Sequence, residues 1–500
     1  MTLCSPSRLL VVGLGRSGQA VVRAALAENF AGEFGALSCL TIADGAESAG
    51  LRAQVSELQQ QAAHLRPDLE LRAYLGASTL PDDAGHFDLA VISPGLAPHD
   101  PLTVSAQQHA GELISELEFA WRLAPAAQQW IAITGSNGKT TTTMLCAHLL
   151  REAGRSVASV GNIGEPVTDL LRTGPLPEIL VVEASSFQLE YTTSFAPQAA
   201  ALLNVSPDHL NWHGSLENYA AAKRKIFTHQ HSGDVALLWD EDPFVEQACA
   251  QVAETGATRQ TVSLHACPPP SAYQEGGQLW LHLDPDAAPQ ALCSATDLLI
   301  PGEHNICNAL FAAALVARFG LSPEQIGAGL KTFHAPTHRL ELVETIAGVR
   351  YFDDSKATNP DSVRAALTAF GPGEAHLLLG GRGKGTSYED LALLALGQVR
   401  GVYTFGEEGP VLAACFHAVQ AQLGTQTPIR SCAKMADALA CAAGAAQPPE
   451  AVVLSPACTS FDEFTSFEER GEVFAALVHA IASKETDPAG AATCEPGERA

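Results

Sequence analysis

The 500-residue sequence is poor in positive charge, with 29 lysines and arginines against 55 aspartates and glutamates, for a net charge of −26. A surface of that sign repels a phosphodiester backbone, which argues against extended nucleic-acid binding. A small anionic ligand stays possible where local cations and Mg²⁺ outweigh the net charge. Long apolar runs and an N-terminal secretion signal are also lacking. We therefore expect a cytoplasmic protein with no membrane partner.

Paired cysteines are missing as well, because the twelve cysteines are scattered and include no C-x-x-C. We expect reduced, mostly buried thiols. Hydrophobic residues make up 46% of the chain and charged residues 17%, which is typical of a globular protein. Because 500 residues are too many for one ordinary core, we expect two to four domains.

One segment carries the strongest signal for phosphate binding. The apolar run 130–133 predicts a buried strand, and Gly135-Ser-Asn-Gly-Lys-Thr-Thr141 and a helical pattern follow it. Two glycines allow several backbone N–H groups to point at one anion, while Lys139 reaches terminal phosphates and Thr140 ligates Mg²⁺. Ile133 stands where the general phosphate-loop pattern has its first glycine, so a chance strand–turn–helix remains an alternative.

The N-terminal region carries a weaker nucleotide signal. Gly13, Gly15 and Gly18 form G-x-G-x-x-G after an apolar strand, and a second predicted strand ends at Asp44. These glycines suit NAD, another nucleotide such as a UDP-sugar, or no ligand at all. The turn at 93–95 follows another strand and is as well explained by a plain turn as by a ligand edge.

Two polar residues follow apolar strands in the middle of the chain. Glu183 ends the run 179–182, and a carboxylate there is costly unless it is paired or metal-bound, which makes it a Mg²⁺ candidate or a helix cap. His209 follows the run 199–205 and is either structural or a ligand.

The helical pattern 216–227 places one lysine on its apolar side. Leu216 and Tyr219 lie on one stripe, Lys223 falls on the same stripe, and Lys225 points away. An inward lysine has a lowered pKa and can react with CO₂ or meet an anion; the alternative is a lysine that reaches solvent along its stem.

Residues 265–290 are rich in proline and predict an irregular surface excursion. Asn305 and Asn308 share one face at the start of an alanine-rich helix, where they suit recognition of a base edge or helix capping. Three apolar strands near the C-terminus each lead into a polar or glycine-rich loop, which indicates a shared ligand edge. The small, polar stretch from about residue 484 predicts a disordered tail.

Together these segments resemble the Mur ligase family, in the family's order and over nearly the whole chain. The matching pieces are 135–141, 161–164, 183–190, 208–209, 221–223, 302–308, 338–339, 354–359 and 454–461. The short phosphate loop is the family's own form. The segments Ser-Ser-Phe-Gln-Leu-Glu and Asp-Ser-Lys-Ala-Thr favour the D-glutamate-adding branch over those that add alanine or a diamino acid.

The resemblance implies an α/β fold of three domains. Residues 1–117 would form a Rossmann-like domain for the UDP substrate, 118–335 a central P-loop ATPase-type domain with a parallel sheet, and 336–500 a Rossmann-like domain for the amino acid. The second and third domains would close about an Ala335–Pro336 linker.

The resemblance also implies roles for individual residues. ATP would be held by Gly135, Ser136, Asn137, Gly138, Lys139, Thr140, Thr141, Asn305, Asn308, Arg339 and Asp354. Catalysis would depend on Lys139, Lys223, Glu183 and His209, and two Mg²⁺ ions on Thr140, Glu183, His209 and a carbamylated Lys223. The UDP-muramoyl substrate would contact Leu14, Gly15, Asp44, Ser93, Gly95, Asn162, Ser185 and Gln188, and the amino acid Thr358, Lys384, Ser460, Phe461 and Phe467. Gly45-Ala46 departs from the Thr-Arg of some relatives, so the uracil contacts stay open.

The implied activity is an ATP-dependent ligase, acting as a monomer, that joins D-glutamate to UDP-N-acetylmuramoyl-L-alanine through an acyl phosphate in peptidoglycan precursor synthesis. Alternatives are another ligase of the superfamily, such as a folylpolyglutamate synthase, or a non-ligase nucleotide-binding protein. The last includes an NAD-dependent enzyme built on the N-terminal glycines.

Overall fold

A computed structural model describes residues 6–27, 30, 32–300, 302–334 and 337–486, without the side chains of 484–486. In the described residues the chain forms three α/β sheets, which confirms the predicted fold class. No described helix combines the length and apolar character needed to cross a membrane.

The first sheet is wholly parallel, with the strand order β3-β2-β1-β4-β5. Its strands are β1 (Arg8–Val12), β2 (Cys39–Asp44), β3 (Glu70–Leu75), β4 (Leu89–Ile92) and β5 (Leu113–Ser115). Its helices are α1 (Arg16–Leu26), α2 (Ala49–Leu65), α3 (Pro101–His109) and α4 (Glu116–Leu123). Helices cover both faces of a parallel sheet, which is why β1 and β4 are continuous apolar runs.

The central sheet has nine strands in the order β14-β13-β12-β11-β10-β9-β6-β8-β7. They are β6 (Gln129–Thr134), β7 (Val157–Gly161), β8 (Ile179–Glu183), β9 (Ala199–Leu202), β10 (Val235–Trp239), β11 (Thr258–Ser263), β12 (Ser271–Glu275), β13 (Gln278–His282) and β14 (Gln290–Ser294). The helices are α5 (Lys139–Glu152), α6 (Val167–Thr173), α7 (Ser186–Glu190), α8 (Leu210–His213), α9 (Leu216–Arg224), α10 (Val245–Thr255), α11 (Glu303–Ala317) and α12 (Pro323–Leu330). Because β6, β8 and β9 are parallel neighbours, their carboxyl ends meet at one edge.

The predicted irregular excursion at 265–290 is wrong. Strands β12 and β13 form an antiparallel hairpin there, and β14 pairs with β13 at the sheet edge. Gly276 and Gly277 both have positive φ, as a two-residue hairpin turn requires. The prolines that suggested a loop at 268–270 precede β12 rather than interrupt it.

The third sheet has the order β15-β16-β20-β17-β18-β19, parallel apart from the antiparallel edge strand β15. Its strands are β15 (Glu341–Ile346), β16 (Val349–Asp353), β17 (Ala375–Gly380), β18 (Gly401–Phe405), β19 (Ile429–Ser431) and β20 (Ala451–Ala457). Its helices are α13 (Pro360–Leu367), α14 (Glu389–Gln398), α15 (Gly409–Leu423), α16 (Met435–Ala445) and α17 (Phe467–Thr486). Helix α17 therefore takes in the first residues of the predicted tail, and 487–500 lie outside the described residues.

The three sheets belong to two compact units. The larger unit comprises Met1–Leu299 and Glu303–Phe333, and the smaller unit Ile300–Gly302 and His334–Ala500. The first two sheets share the larger unit, so the boundary between residues 117 and 118 stays a prediction. The Ala335–Pro336 linker falls outside the described residues.

A buried charged joint holds the first two sheets together. The fully buried Glu118 carboxylate on α4 accepts backbone N–H bonds from Thr193, Ser194 and Phe195 at 3.0–3.1 Å. Arg122 donates to Glu118 at 2.8 Å. Burial opposes the charge of Glu118, but the hydrogen bonds from Ser194 and Arg122 outweigh it and keep its pKa below the usual value.

Candidate active site

The phosphate loop joins β6 to α5 at the carboxyl edge of the central sheet, as the sequence predicts. Its backbone is fixed from one side, since Asn204 accepts the Ser136 N–H at its carbonyl (2.9 Å) and the Asn137 N–H at its Oδ1 (2.8 Å). Gly138 has φ +84°, and a Cβ there would lie 2.4 Å from Asn308 Oδ1. Only glycine therefore fits this position without displacing a neighbour.

Two lysines share one carbonyl of this loop. Lys139 Nζ and Lys223 Nζ each donate to Gly135 O at 2.7 Å, and Lys139 also donates to Ser136 O at 2.8 Å. The two amines therefore cannot be farther apart than twice that bond length. Two ammonium groups so close repel each other, which favours a neutral form for one of them.

Lys223 is the amine whose pKa is lowered. It is 1% exposed, and its Nζ lies 4.3 Å from the centre of the Tyr219 ring. Burial lowers its pKa well below the ordinary value, Lys139 lowers it further, and Asp208 and Glu183 only partly oppose this. The predicted inward position is confirmed, and the alternative of a solvent-seeking lysine is wrong. Lys225 turns away and pairs with Glu190 at 2.9 Å.

Glu183 meets the phosphate loop directly. Its Oε2 accepts the Thr140 hydroxyl at 2.7 Å, and its Oε1 accepts the Asn162 side-chain amide at 2.8 Å. The alternative role of Glu183 as a helix cap is wrong, because Ser185 caps α7 in a reciprocal capping box with Gln188. Ser185 and Gln188 thus bond to each other, and their contact with substrate stays a prediction.

His209 lies at the start of α8 with φ +54°. Its Nε2 is 3.5 Å from Asp208 Oδ2, and its ring lies 4.8 Å from the Phe187 ring. Asp208 is buried, and its charge acts on Lys223. His209 is thus linked to the lysine pair through Asp208, while its role as a metal ligand stays a prediction.

Asn305 and Asn308 sit beside the phosphate-loop helix. Asn308 Nδ2 donates to Asn305 Oδ1 at 3.1 Å, and the Thr142 hydroxyl donates to Asn308 Oδ1 at 3.2 Å. Both asparagines are buried, and Asn308 also closes the space over Gly138. Their predicted contact with the base of ATP is not tested by these bonds.

The glycine turn of the first sheet is held by an acid. Asp44 Oδ2 accepts the Leu14 N–H at 2.7 Å, and its Oδ1 accepts the Ala46 N–H at 2.8 Å. Gly15 caps α1, and the Ser93 Oγ would lie 3.5 Å from a Cβ at Gly15. Leu14, Gly15, Asp44 and Ser93 therefore lie at one edge of the sheet, whereas a Cβ at Gly95 would meet no atom within 4 Å. The contacts of these residues with the UDP substrate stay predictions.

A cavity of about 500 Å³ lies in the larger unit between the loop after β4 and helices α8 and α9. Pro98 and His99, in the loop after β4, line one side of the cavity, and Trp212, His213 and Lys225 line the other side. Burial is the main cause that lowers the pKa of His213 to about 4, so this imidazole is neutral at physiological pH.

In the smaller unit, the residues predicted to bind ATP or the amino acid lie in the loops that follow its strands. The buried Asp354 accepts the Ser455 hydroxyl at 2.6 Å and the Leu340 N–H at 3.2 Å. Burial raises its pKa to about 7, against the Ser455 hydrogen bond and the charge of Arg339. Lys384 Nζ lies 3.5 Å from Thr358 Oγ1.

Three further residues predicted for the amino-acid pocket lie after β20. Ser460 is buried and accepts the Phe464 N–H at its carbonyl (2.8 Å), whereas Phe461 is 60% exposed. The Phe467 ring lies 4.7 Å from Lys356 Nζ. Their contacts with an amino acid stay predictions.

Sequence reasoning missed several residues that shape these sites. Asn204 anchors the phosphate loop, Tyr219 OH bonds to Ser136 Oγ at 3.1 Å, and Arg470 is fully buried beneath the loops of the third sheet. Asn204 had a usable signal, since it follows an apolar strand as Glu183 does. Arg470 sits in a charged, helical stretch that carries no such signal.

Comparison with known proteins identifies the family. Residues 133–316 match the Mur ligase middle domain, and residues 338–458 match the Mur ligase glutamate ligase domain. UDP-N-acetylmuramoylalanine–D-glutamate ligase of Thermobifida fusca is 37% identical over 492 residues, covering 95% of this chain and 98% of the relative. The protein of that name from Rubrobacter xylanophilus is 38% identical, covering 94% and 98%.

Solved structures share the fold at lower identity. UDP-N-acetylmuramate-alanine ligase of Thermotoga maritima is 18% identical with a TM-score of 0.54, covering 95% of this chain and 99% of its own. A second ligase of the family from that organism, solved in complex with ADP, is 16% identical with a TM-score of 0.56, covering 81% and 96%. With the phosphate loop, the lysine pair and relatives above 30% identity along nearly its full length, this chain belongs to the Mur ligase family.

Proposed function

We propose that this protein is the ATP-dependent ligase that adds D-glutamate to UDP-N-acetylmuramoyl-L-alanine in peptidoglycan precursor synthesis. The observation that carries the proposal is the convergence of Lys139 and the buried Lys223 on one carbonyl of the phosphate loop. The full-length likeness to D-glutamate ligases supports the choice of amino acid. We further propose that it acts as a cytoplasmic monomer.

The first step must bring two anions together, the alanyl carboxylate of the substrate and the γ-phosphate of ATP. The carboxylate attacks the phosphorus in line, ADP leaves, and an acyl phosphate forms. Lys139, at the loop and at the start of α5, supplies positive charge to the terminal phosphates. Asn204 fixes the loop by accepting the Ser136 and Asn137 N–H groups, and the N–H groups at the start of α5 would hold the phosphates.

The residues around Glu183 fit Mg²⁺. The Thr140 hydroxyl and the Glu183 carboxylate lie at hydrogen-bonding distance, and such hard oxygen donors are what Mg²⁺ prefers. We propose that Thr140, Glu183 and His209 hold metal, with two ions in all. Bound there, Mg²⁺ would neutralise phosphate charge.

Lys223 fits a carbamate. Burial lowers its pKa and so favours the neutral amine, which can add to CO₂ and release one proton to leave a carbamate beside Gly135. We propose that this carbamylated side chain is the last metal ligand. The Gly135 carbonyl accepts a hydrogen bond from this amine, and the Tyr219 ring lies beside it.

The second step is attack of the D-glutamate amine on the acyl carbon, with phosphate as the leaving group. We propose that Thr358, Lys384, Ser460, Phe461 and Phe467 bind the amino acid. Lys384 beside Thr358 gives that pocket a positive charge and a hydroxyl for a dicarboxylate. Arg339 and the buried Asp354 would seat ATP, with Asp354 on the ribose.

The test is phosphate release by the full chain with ATP, Mg²⁺ and UDP-N-acetylmuramoyl-L-alanine, with and without D-glutamate. We expect release only when all components are present, and we expect Lys139→Ala to abolish it. L-Alanine, a diamino acid and a folate substrate with glutamate serve as comparison substrates. Release driven by one of these instead of D-glutamate would assign another ligase of the superfamily, and release without any amine would reject a ligase.

A further inference from the structure

Arg470, on α17 of the smaller unit, lies directly under the loops that follow three strands. Its side chain is fully buried. Nε donates to the Ser355 hydroxyl at 2.9 Å, and Nη2 donates to the Ser355 carbonyl at 2.7 Å. Nη1 and Nη2 both donate to the Cys458 carbonyl at 3.2 Å, and Nη1 lies 3.5 Å from the Gly380 carbonyl. One guanidinium thus reaches the ends of β16, β17 and β20.

The three loops also bond to one another around this side chain. Arg382 and Thr459 exchange two backbone hydrogen bonds at 2.8 and 3.0 Å, and the Ala457 N–H donates to the Ala357 carbonyl at 2.9 Å. Gly381 comes so close that a Cβ there would lie 2.0 Å from the Thr459 carbonyl and 3.1 Å from Arg470 Nη1. The loops are therefore packed on the guanidinium as one assembly.

A buried arginine is costly unless its charge and donors are met. Here the hydrogen bonds go to carbonyl and hydroxyl oxygens, and the charges of Asp353 and Asp354 act on it from nearby. A planar fork with five N–H donors can bond two loops at once, whereas a lysine ammonium is a single point. The position therefore requires the geometry of arginine and not only its charge.

We propose that Arg470 is a positioning residue for the incoming amino acid, which acts by fixing the loops that carry Thr358, Lys384 and Ser460. The inference rests on the proposed function for the identity of the amino acid. Asp354 is held separately by Ser455 and Leu340. Loss of the guanidinium should therefore disturb the amino-acid pocket more than the seat of ATP.

The test compares Arg470→Lys with the wild type in steady-state kinetics. Losing one or two charged hydrogen bonds predicts a rise in KM for D-glutamate of about tenfold or more. KM for ATP and kcat should change less than about threefold, because a threefold change corresponds to only a fraction of the free energy of one such hydrogen bond. Arg122→Lys is the matched control: it alters a buried arginine of the larger unit and should leave KM for D-glutamate unchanged.

Chemical rescue separates positioning from general damage. Guanidinium ion at a concentration far below the denaturing range should lower KM for D-glutamate in Arg470→Ala, and sodium chloride of equal ionic strength should not. If Arg470→Ala does not fold, Ser355→Ala removes the hydroxyl that accepts from Arg470 and donates to the Phe467 carbonyl at 2.8 Å, and it should raise the same KM to a smaller extent. A folded Arg470→Lys with an unchanged KM for D-glutamate overturns the proposal.

Failure of the proposed function would look different. If the wild type releases phosphate with another amino acid, the comparison of Arg470→Lys with the wild type uses KM for that amino acid instead of KM for D-glutamate. If no amino acid is used, hydrogen exchange decides: loss of protection in 354–358, 381–384 and 458–461 of Arg470→Lys supports the role in fixing the loops. Unchanged protection there refutes it.

Discussion

At the scale of single residues, burial moves two ionisable groups of this protein toward neutrality. Lys223 loses its proton more easily because it is buried beside Lys139, and Asp354 keeps its proton longer because it is buried beneath Ser455. Both changes follow from the cost of a charge away from water. Each gives a measurable consequence.

Removing the Lys223 amine should stop catalysis without unfolding the chain. We expect Lys223→Ala to lower kcat by about a thousandfold or more, because the carbamate that would hold Mg²⁺ beside the phosphate loop can no longer form. Formate or acetate should restore part of the rate by occupying the space that the side chain leaves. Phosphate release measures both. Lys225→Ala, at the same helix end but paired with Glu190, is the control and should keep near-normal activity. A Lys223→Ala enzyme as active as the wild type would remove the carbamate.

Asp354 should make stability depend on pH in the neutral range. Its pKa rises on folding, from 3.8 to about 7, so the folded state holds the proton more tightly and is stabilised at low pH. That stability is complete below about pH 4 and is lost as the pH rises through about 7. Relative to Asp354→Asn, we expect the wild type to lose on the order of 4 kcal/mol of unfolding free energy between pH 4 and 8. Urea unfolding at a series of pH values measures it; parallel pH curves for both proteins would contradict it.

Sequence alone finds some of these residues and not others, for a physical reason. Lys223 and Glu183 are predictable because the helical period and the end of an apolar strand are local patterns. Arg470 lies in a charged helical stretch and bonds to Ser355, 115 positions earlier, so no local pattern reveals it. Asn204 follows an apolar strand, but its partner Asn137 is 67 positions away, so the strand end alone does not show what Asn204 anchors. Glu118 likewise receives its hydrogen bonds from residues 75 to 77 positions later.

At the scale of elements, the sequence predicts the buried parallel strands and the loops that follow them well, but it predicts the edge strands poorly. Buried parallel strands such as β6 and β8 are unbroken apolar runs, and the structure confirms them within a residue or so. Strands β12 to β14 are short and half-exposed, so their alternation of apolar and polar residues is a weak signal. The nearby proline and polar residues therefore led to the prediction of an irregular segment. The Gly276-Gly277 turn was the signal that the composition obscured.

The turn between β6 and α5 tolerates no side chain at Gly138. A Cβ would meet Asn308 Oδ1 at 2.4 Å, and φ is +84°. Gly154, at the other end of α5, has φ +79° and open space around it. We expect Gly138→Ala and Gly154→Ala each to lose about 1–2 kcal/mol of stability from the left-handed backbone, and Gly138→Ala to lose more because its Cβ meets Asn308. Only Gly138→Ala should lose ATP affinity as well. Urea unfolding and calorimetric titration with ATP measure the two effects; equal ATP affinity in both variants would contradict this.

At the scale of the whole molecule, the charged joint at Glu118 holds the first two sheets together in one compact unit. We expect Glu118→Ala to destabilise the larger unit by about 3–5 kcal/mol, because Arg122 and three backbone N–H groups lose a buried partner. Glu178→Ala, which removes a surface partner of Arg155, should cost far less, because solvent screens an exposed ion pair. Chemical denaturation of both variants measures the difference. A Glu118→Ala protein as stable as Glu178→Ala would show that the joint contributes little.

The same joint bears on inhibitor design. Both walls of the cavity, Pro98 and His99 on one side and Trp212 and His213 on the other, belong to a single compact unit. The two sheets of that unit are held together by the hydrogen bonds of Glu118 on α4. A rigid compound shaped to that hollow would therefore not have to pull two mobile halves into place, and its affinity would be spared the ordering entropy that such recruitment demands.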